Sequence, residues 1–167
     1  MEIQPETEAD VAAIRDVNRR AFGREDEARL VDALREAGYA RLSLVAGEDG
    51  GLIGHIMFSK AGIQTKNDSV EALALGPVGV VPDHQGRGVG SALIQEALDR
   101  CAAGGHRIVV LLGHPDFYPR FGFSAGLAKN LSSTYRGEAF MALELVPDAL
   151  TGVSGEFTFA PPFGAVS

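Results

Sequence analysis

Three glycines stand at alternate positions of the sequence, Gly86, Gly88 and Gly90, with one arginine, Arg87, among them. Glycine loses more conformational entropy on folding than other residues, so such a cluster indicates a requirement of the backbone. An apolar stretch precedes the cluster and a helical pattern follows it, which predicts a strand-to-helix turn. Because the first N–H groups of a helix lack partners and carry the positive end of its dipole, this turn predicts a phosphate or pyrophosphate site. Gln85 and Arg87 can add side-chain donors to it.

The spacing of the glycines excludes the two most familiar nucleotide-binding turns. A P-loop needs a Gly-Lys pair, and the chain contains none. A dinucleotide-binding turn needs G-x-G-x-x-G directly after its strand and an acidic residue at the end of the next strand. Here the order is G-x-G-x-G-S, residues 82–85 separate strand from turn, and the next strand ends in Gly113-His114. A plain glycine-rich turn without a ligand is the alternative.

Composition excludes several classes of protein. The chain has 167 residues and a net charge of -7, and a negative chain is a poor nucleic-acid binder because phosphate needs a positive field. The single cysteine, Cys101, cannot form an internal disulfide and lies on an apolar helix stripe, so we expect it in the core. No apolar run reaches the ~18 residues of a membrane span, and the acidic N-terminus is unlike a secretory signal. We therefore expect a cytoplasmic protein with no nucleic-acid or membrane partner.

The spacing of apolar residues predicts the elements that position the turn. Helices are expected over residues 8–22, around Leu30 to Leu34 with a stop at Gly38, and over 88–103, with a charged link at 24–27. Strands are expected at 42–46, 52–59, 70–81, 107–113, 140–146 and 156–160, with a hairpin turn at residues 49–51 and turn-like residues at 62–68. This order predicts an α/β or α+β domain of three layers with a strand–helix–strand crossover at the glycines.

The glycine turn also resembles the Q/R-x-x-G-x-G/A signature of the GNAT superfamily, the acyl-CoA-dependent N-acetyltransferases. In that family the signature follows a strand that ends like L-x-V-x-P, which matches Val78 to Pro82, and a Tyr-x-x-x-Gly-Phe pattern comes later, which matches Tyr118 to Phe123. The order of elements is similar to the GNAT fold, a mixed central sheet with splayed central parallel strands flanked by helices. The resemblance covers about residues 3–146. We expect one domain over 1–167, in which 147–167 is an extension that covers the core or meets a second subunit.

The resemblance implies acetyl-CoA as acyl donor and no metal. In GNAT proteins the preceding strand pairs its backbone with the pantetheine arm, which maps onto Val78 and Val80, and Gly76-Pro77 with Gly79 suits a bulge that splays this strand from its parallel neighbour. The signature's amides hold the coenzyme A pyrophosphate. They map onto Gln85, Gly86, Arg87, Gly88, Val89 and Gly90, with Ser91 at the helix start.

The implied reaction is direct attack of a primary amine on the acetyl thioester. A strand N–H near Val80 would stabilise the oxyanion, and Tyr118 would serve the leaving thiolate as acid or hydrogen-bond donor. A packed aromatic without a catalytic role is the alternative for Tyr118. The glutamate that many GNAT enzymes use as base would fall near Ala74. Glu71, His55, His114 and a water chain to bulk are the alternatives.

The acceptor is not named by the sequence. Glu25, Asp26 and Glu27 beside Phe22 could attract a cationic amine, although a solvated charged helix start is the favoured interpretation of these residues. A small-molecule or protein amine is expected, and a homodimer is possible. Two other functions stay open: an acyl-CoA-binding sensor without catalysis, favoured by the missing glutamate, and a nucleotide-phosphate enzyme of another fold, opposed by the motif spacing.

Overall fold

The computed structural model describes residues 1–134 and 137–165, and within them it contains an eight-stranded mixed sheet with three α-helices. The helices are α1 Val11–Phe22, α2 Asp26–Glu36 and α3 Val89–Ala103. The strands are β1 Glu2–Pro5, β2 Ala40–Glu48, β3 Gly51–Gln64, β4 Ser69–Val80, β5 Ile108–Leu112, β6 Leu131–Ser132, β7 Phe140–Glu144 and β8 Gly155–Thr158.

The strand order of the sheet is β1-β2-β3-β4-β5-β7, with β8 paired to β3 and β6 paired to β8. β1, β2 and β3 pair antiparallel, β4 and β5 pair parallel, and β7 returns antiparallel to β5. The connection from β4 through α3 to β5 is the crossover predicted from the glycine turn. The mixed α/β class expected from the sequence is therefore confirmed.

The chain forms two compact units, and β3 and β4 contribute residues to both. The first consists of Met1–Ser59, Gly76–Asp99 and the C-terminal residues from Ala160 onward, and the second of Lys60–Leu75 and Arg100–Phe159.

In the first unit, the two faces of β3 carry different helices. Gly54 and His55 are neighbours on this strand, so their side-chain directions point to opposite faces. A Cβ on Gly54 would lie 2.9 Å from Leu93 Cδ1 and 3.0 Å from Val89 Cγ1, which places α3 directly on that face. His55 contacts Asn18 of α1 on the other face. Helix, sheet and helix therefore form the three layers that the sequence predicted.

The core of the first unit includes the end of the chain. Its apolar cluster comprises Ile14, Leu30, Val31, Leu34, Val45, Met57 and Ala160. Phe163, in the short 3₁₀ helix Pro161–Ala165, packs against this cluster. Of the two packings expected for the C-terminal extension, its described end therefore covers the core. Residues 166 and 167 of the expected extension lie outside the described part.

In the second unit, β3 is longer than its sequence indicates. Residues 62–64 were expected to turn, but Gly62, Ile63 and Gln64 pair with β8, and the turn follows at 65–68. Ile63 is completely buried. The expectation of a turn from residue 62 was wrong because β8, about ninety residues later in the chain, supplies the pairing partner that extends the strand.

Three further elements differ from the sequence prediction. β1 and the two-residue β6 were not expected, and each is held by pairing with a distant strand. α2 begins at Asp26, so Asp26 and Glu27 belong to the helix and not to the charged link. The first helix was expected from residue 8, but Glu8–Asp10 form a 3₁₀ turn and the α-helix begins at Val11. The expected capping contact is present, because the Thr7 N–H donates to the Asp10 carboxylate at 2.8 Å.

Candidate functional site

The glycine turn lies between β4 and α3. Two of its glycines have a backbone conformation that is strained for any other residue. Gly86 has a φ of 75° and Gly88 a φ of 85°, in the left-handed region that costs an L-residue roughly 1–2 kcal/mol. A Cβ at either position would meet nothing within 4 Å. The conformation therefore requires glycine, and the surface beside it is open to a ligand. Gly90 lies within α3 and its φ is not positive, so its conformation makes no such demand.

The backbone N–H groups of the turn are available as donors. Those of Gly86, Arg87 and Gly88 donate to no backbone carbonyl of the described residues, and residues 85–88 are exposed. They precede the first turn of α3, where the helix dipole contributes a partial positive charge of about +0.5. Unpaired N–H groups at the positive end of a helix are the requirement for holding a phosphate group.

The two side chains expected to assist the turn have different positions. Gln85 Nε2 donates to the Val80 carbonyl at 2.9 Å, so this side chain ties the turn to the end of β4. Arg87 is exposed. Gln85 therefore has a protein partner, whereas the ligand contact expected of Arg87 stays a prediction.

β4 presents the amides of Val78 and Val80 away from β3. Val81 donates its N–H to Ile53 O at 2.9 Å, and backbone groups of an antiparallel strand point alternately to its two sides. Gly79 therefore points with Val81 toward β3, whereas Val78 and Val80 point to the opposite side. The ladder between β4 and β5 consists of Leu73 with Val109 and Ala74 with Val110. It ends before Gly76, as expected of strands that splay, which leaves these amides suited to pair with an extended ligand.

Tyr118 begins the 3₁₀ helix Tyr118–Phe121. Its ring lies on the backbone of Gly113, where a Cβ would stand 2.8 Å from Tyr118 Cδ2. It also makes edge-to-face contacts with Phe117 and Phe123, at centroid distances of 5.1 and 6.0 Å. Burial raises the pKa of the Tyr118 hydroxyl, so the group carries its proton at neutral pH and can act as a donor.

The turn, the strand before it and the aromatic segment match a known family. Residues 2–126 match the sequence model described as "Acetyltransferase (GNAT) domain". The chain belongs to the GNAT acetyltransferase family. It is 36% identical over 158 residues to the "Uncharacterized N-acetyltransferase YhbS" of Escherichia coli K12, covering 93% of each chain.

Two solved GNAT structures are similar over nearly their whole length. The crystal structure of Escherichia coli YhbS in complex with CoA is 34% identical, with a TM-score of 0.90, covering 98% of this chain and 91% of that one. The structure of a GNAT family acetyltransferase from Brucella melitensis in complex with acetyl-CoA is 36% identical, with a TM-score of 0.81, covering 97% of each. The family and fold that the residues implied are confirmed.

The positions considered for a GNAT base differ in exposure. Ala74, at the place of the family's glutamate, is completely buried. Glu71 and His114 are exposed. His55 is completely buried, and both of its ring nitrogens have protein partners: Asn18 Nδ2 lies 3.1 Å from Nδ1, and Ser43 Oγ lies 2.9 Å from Nε2. This arrangement gives His55 a structural role, because neither nitrogen is available to a substrate.

His55 belongs to a chain of hydrogen bonds formed by Asn18, His55, Ser43, Glu6 and Arg35. We call it the buried polar chain after its inner members, Asn18 and His55, which are completely buried, whereas the other three are half-buried. The Ser43 hydroxyl donates to the Glu6 carboxylate. Arg35 donates to Glu6 at 2.7 and 3.0 Å. Sequence reasoning considered His55 alone. The sign that could have revealed the rest is the presence of Ser43 and His55 inside otherwise apolar strands.

The donors in the buried polar chain all run toward Glu6. Asn18 Nδ2 also donates to the Ile14 carbonyl at 3.2 Å, which identifies it as the nitrogen, so His55 Nδ1 accepts from Asn18. His55 Nε2 then carries the proton and donates to Ser43. Burial lowers the pKa of His55 to about 4, which the Glu6 carboxylate opposes and Arg35 supports. His55 is therefore neutral at physiological pH.

The acidic residues near the end of α1 are paired with arginines. Glu25 accepts from Arg19, and Arg24 lies 2.6 Å from the Glu27 carboxylate and 3.5 Å from that of Asp26. Phe22 beside them is exposed. Because arginines neutralise these acids, the cluster attracts a cationic amine less than its sequence suggests.

Residues 1–134 and 137–165 contain neither a cluster of metal ligands nor a membrane-spanning helix. No three His, Cys, Asp or Glu side chains there come together as ligands for a metal ion. None of the helices in the same residues is long and apolar enough to cross a membrane.

Proposed function

We propose that this protein is an acetyl-CoA-dependent N-acetyltransferase that acts on a primary amine by direct attack. The observation that carries the proposal is that two sets of backbone N–H donors follow each other along the chain, one on β4 and one in the glycine turn. Gly86, Arg87 and Gly88 present N–H groups directly before α3 that pair with no backbone carbonyl in the described part of the chain. The strand leading to them turns the amides of Val78 and Val80 away from β3. The complexes of the two similar proteins with CoA and acetyl-CoA support it.

The residues present fit a coenzyme A molecule in two parts. The amides from Gly86 to Ser91 would hold the pyrophosphate, with the exposed Arg87 as a nearby cation. The Val78 and Val80 amides would pair with the pantetheine arm as a strand would. Gln85 contributes by fixing the turn to the Val80 carbonyl.

Acetyl-CoA, when bound, supplies the thioester whose C–S bond breaks as the amine nitrogen forms the new C–N bond. The N–H of Val80 would stabilise the negative charge that develops on the carbonyl oxygen. Tyr118, which keeps its proton at neutral pH, would donate a hydrogen bond or that proton to the leaving thiolate. The products are an N-acetylated amine and CoA.

The amine must lose a proton during this reaction, and we propose that water carries it to solvent. His55 has both ring nitrogens engaged and a pKa lowered to about 4 by burial, so it does not serve as base. Ala74 has no group that accepts a proton. Glu71 and His114, both exposed, stay the alternatives to this water path.

Ligand-dependent melting tests the coenzyme part of the proposal. A ligand present at a hundredfold excess over its Kd stabilises the native state by about 2.7 kcal/mol, which in a protein of this size raises Tm by roughly 5–11 °C. We expect this shift with acetyl-CoA and none with ATP or NAD. Absence of a shift with any CoA species would contradict the proposal.

A pair of glycine variants locates the effect in the turn. Gly88→Ala should reduce the shift, because Ala strains a φ of 85° where the amides must point at the pyrophosphate. Gly38→Ala is the matched control: its φ is 79°, a Cβ there also meets nothing within 4 Å, and it lies at the end of α2. Release of free thiol with a panel of amines then tests catalysis. If acetyl-CoA binds but no amine in the panel causes release of the CoA thiol, the result would support a CoA sensor instead.

A further inference from the structure

Asn18 is completely buried in α1, and half of its side chain has no partner. Its Nδ2 donates to the Ile14 carbonyl and to His55 Nδ1. Its Oδ1 is buried and makes no hydrogen bond to any part of the chain that the structure describes. Exchanging the two atoms would bring Oδ1 against the Ile14 carbonyl oxygen, so the orientation of the amide is fixed. A buried acceptor left without a donor reduces stability, which calls for a functional reason.

Oδ1 points at Gly79 of β4. A Cβ built on Gly79 would lie 2.9 Å from Asn18 Oδ1, 3.3 Å from Ala21 Cβ and 3.5 Å from Phe22 Cε2. Asn18, Ala21 and Phe22, on one face of α1, therefore lie against Gly79 on this side. Any larger residue at this position would move β4 away from the helix, so the contact sets the distance between the two elements.

The buried polar chain prevents Asn18 from turning away. His55 accepts from Asn18 and donates to Ser43, and Ser43 donates to Glu6. Glu6 is held in turn by two hydrogen bonds from Arg35. Because Asn18 and His55 are completely buried and His55 is itself held by Ser43, the amide of Asn18 has one defined position against Gly79.

We infer that Asn18 is a positioning residue for β4, which it holds in place through Gly79 and thereby aligns the Val78 and Val80 amides with the bound coenzyme. The inference rests on the proposed function, since those two amides are the ones assigned to the pantetheine arm. Gly79 lies between them, so a displacement of its backbone turns both N–H groups. No ladder with β5 holds this part of β4, because among the described residues the β4–β5 ladder ends at Ala74 and Val110.

The test is the Kd for acetyl-CoA of Asn18→Ala, measured by calorimetry below the unfolding temperature. We expect the Kd to rise at least tenfold while thermal unfolding stays cooperative. Val31→Ala is the matched control. Val31 of α2 is buried in the apolar cluster of the first unit, so its truncation should lower Tm comparably and leave the Kd unchanged. An unchanged Kd in Asn18→Ala together with a lower Tm would show a merely structural residue and overturn the inference.

A second variant pair tests the contact itself. Gly79→Ala places a methyl group against Oδ1 and should raise the Kd strongly. In the Asn18→Ala background the same methyl group meets only the looser contacts with Ala21 and Phe22, so its effect on Kd should be smaller. Equal effects of Gly79→Ala in both backgrounds would overturn the inference.

Two further outcomes are separable. If Asn18→Ala does not fold, His55→Gln provides the test, because it removes the imidazole that holds the Asn18 amide and keeps Asn18 itself. A raised Kd for acetyl-CoA supports the inference, and an unchanged Kd overturns it. If the wild-type protein itself fails to bind acetyl-CoA, the proposed function fails first, and the inference fails with it.

Discussion

His55 makes the stability of the folded protein depend on pH in the mildly acidic range. The side chain is completely buried, and burial lowers its pKa from the ordinary 6.5 to about 4. Between these two values the unfolded chain binds a proton that the folded chain does not. The free energy of unfolding therefore falls as the pH is lowered through this window.

The size of the effect follows from the two pKa values. A difference of one pKa unit corresponds to about 1.4 kcal/mol, so the full loss, reached below pH 4, is about 3 kcal/mol. Between pH 7 and pH 5 the linkage relation gives a loss of about 2 kcal/mol, which lowers Tm by roughly 4–8 °C in a protein of this size.

Glu6, at the other end of the buried polar chain, acts in a lower range. Burial raises its pKa, but the hydrogen bonds from Arg35 and Ser43 outweigh burial and leave the pKa below 4.5. Its contribution to stability is complete above pH 4.5 and is lost only as the pH falls through the lower folded value. The window from pH 7 to pH 5 therefore reports on His55.

The assay is urea unfolding at several pH values from 7 to 5, for the wild type and for His55→Gln. The variant should start less stable at pH 7 but lose about 2 kcal/mol less over this range, since Gln does not titrate. His114→Gln, which removes an exposed histidine, should keep the wild-type pH dependence. Equal pH dependences of the wild type and His55→Gln would refute the assignment of a buried neutral histidine.

Two more variants test other parts of the structure. Tyr118→Phe keeps the ring contacts with Phe117, Phe123 and Gly113 and removes only the hydroxyl, so turnover should fall by about 100-fold with little change in Tm; parallel losses of activity and stability would contradict the catalytic assignment. Gly155→Ala should destabilise the protein by about 1–3 kcal/mol in urea unfolding, because its Cβ would overlap the Gln64 carbonyl and lie 3.1 Å from Thr65 Cα. Gly164→Ala, where a Cβ meets nothing within 4 Å, is the control and should leave the urea midpoint unchanged.

The elements predicted correctly from the sequence carry local signals. The hairpin at Asp49-Gly50 has positive φ at both residues, as a tight hairpin turn demands, and the glycine turn lies between β4 and α3 as its neighbours indicated. The elements that were missed depend on distant partners. β1 pairs with β2 about forty residues later, and the end of β3 pairs with β8, so no local pattern specifies either.

The candidate site divides in the same way. The place of Gly86 and Gly88 between a strand and a helix could be predicted from motif spacing and is confirmed. The pairing of Val78 and Val80 with a pantetheine arm was implied by the family resemblance and stays a prediction. The side-chain partners could not be predicted. Gln85 turns back to Val80, and the buried polar chain joins residues of several separate elements whose pairing is decided by packing.

The place of Ala160 and Phe163 in the core of the first unit affects when that core can fold during synthesis. That core also contains Ile14, Leu34 and Val45, which leave the ribosome long before the residues that complete it. The N-terminal helices and the β2–β3 hairpin therefore keep part of their apolar surface in water until residues 160–163 have been synthesised. Contacts between such distant parts of a chain slow folding. While the apolar surface stays exposed, chaperones can bind it and aggregation can compete with folding.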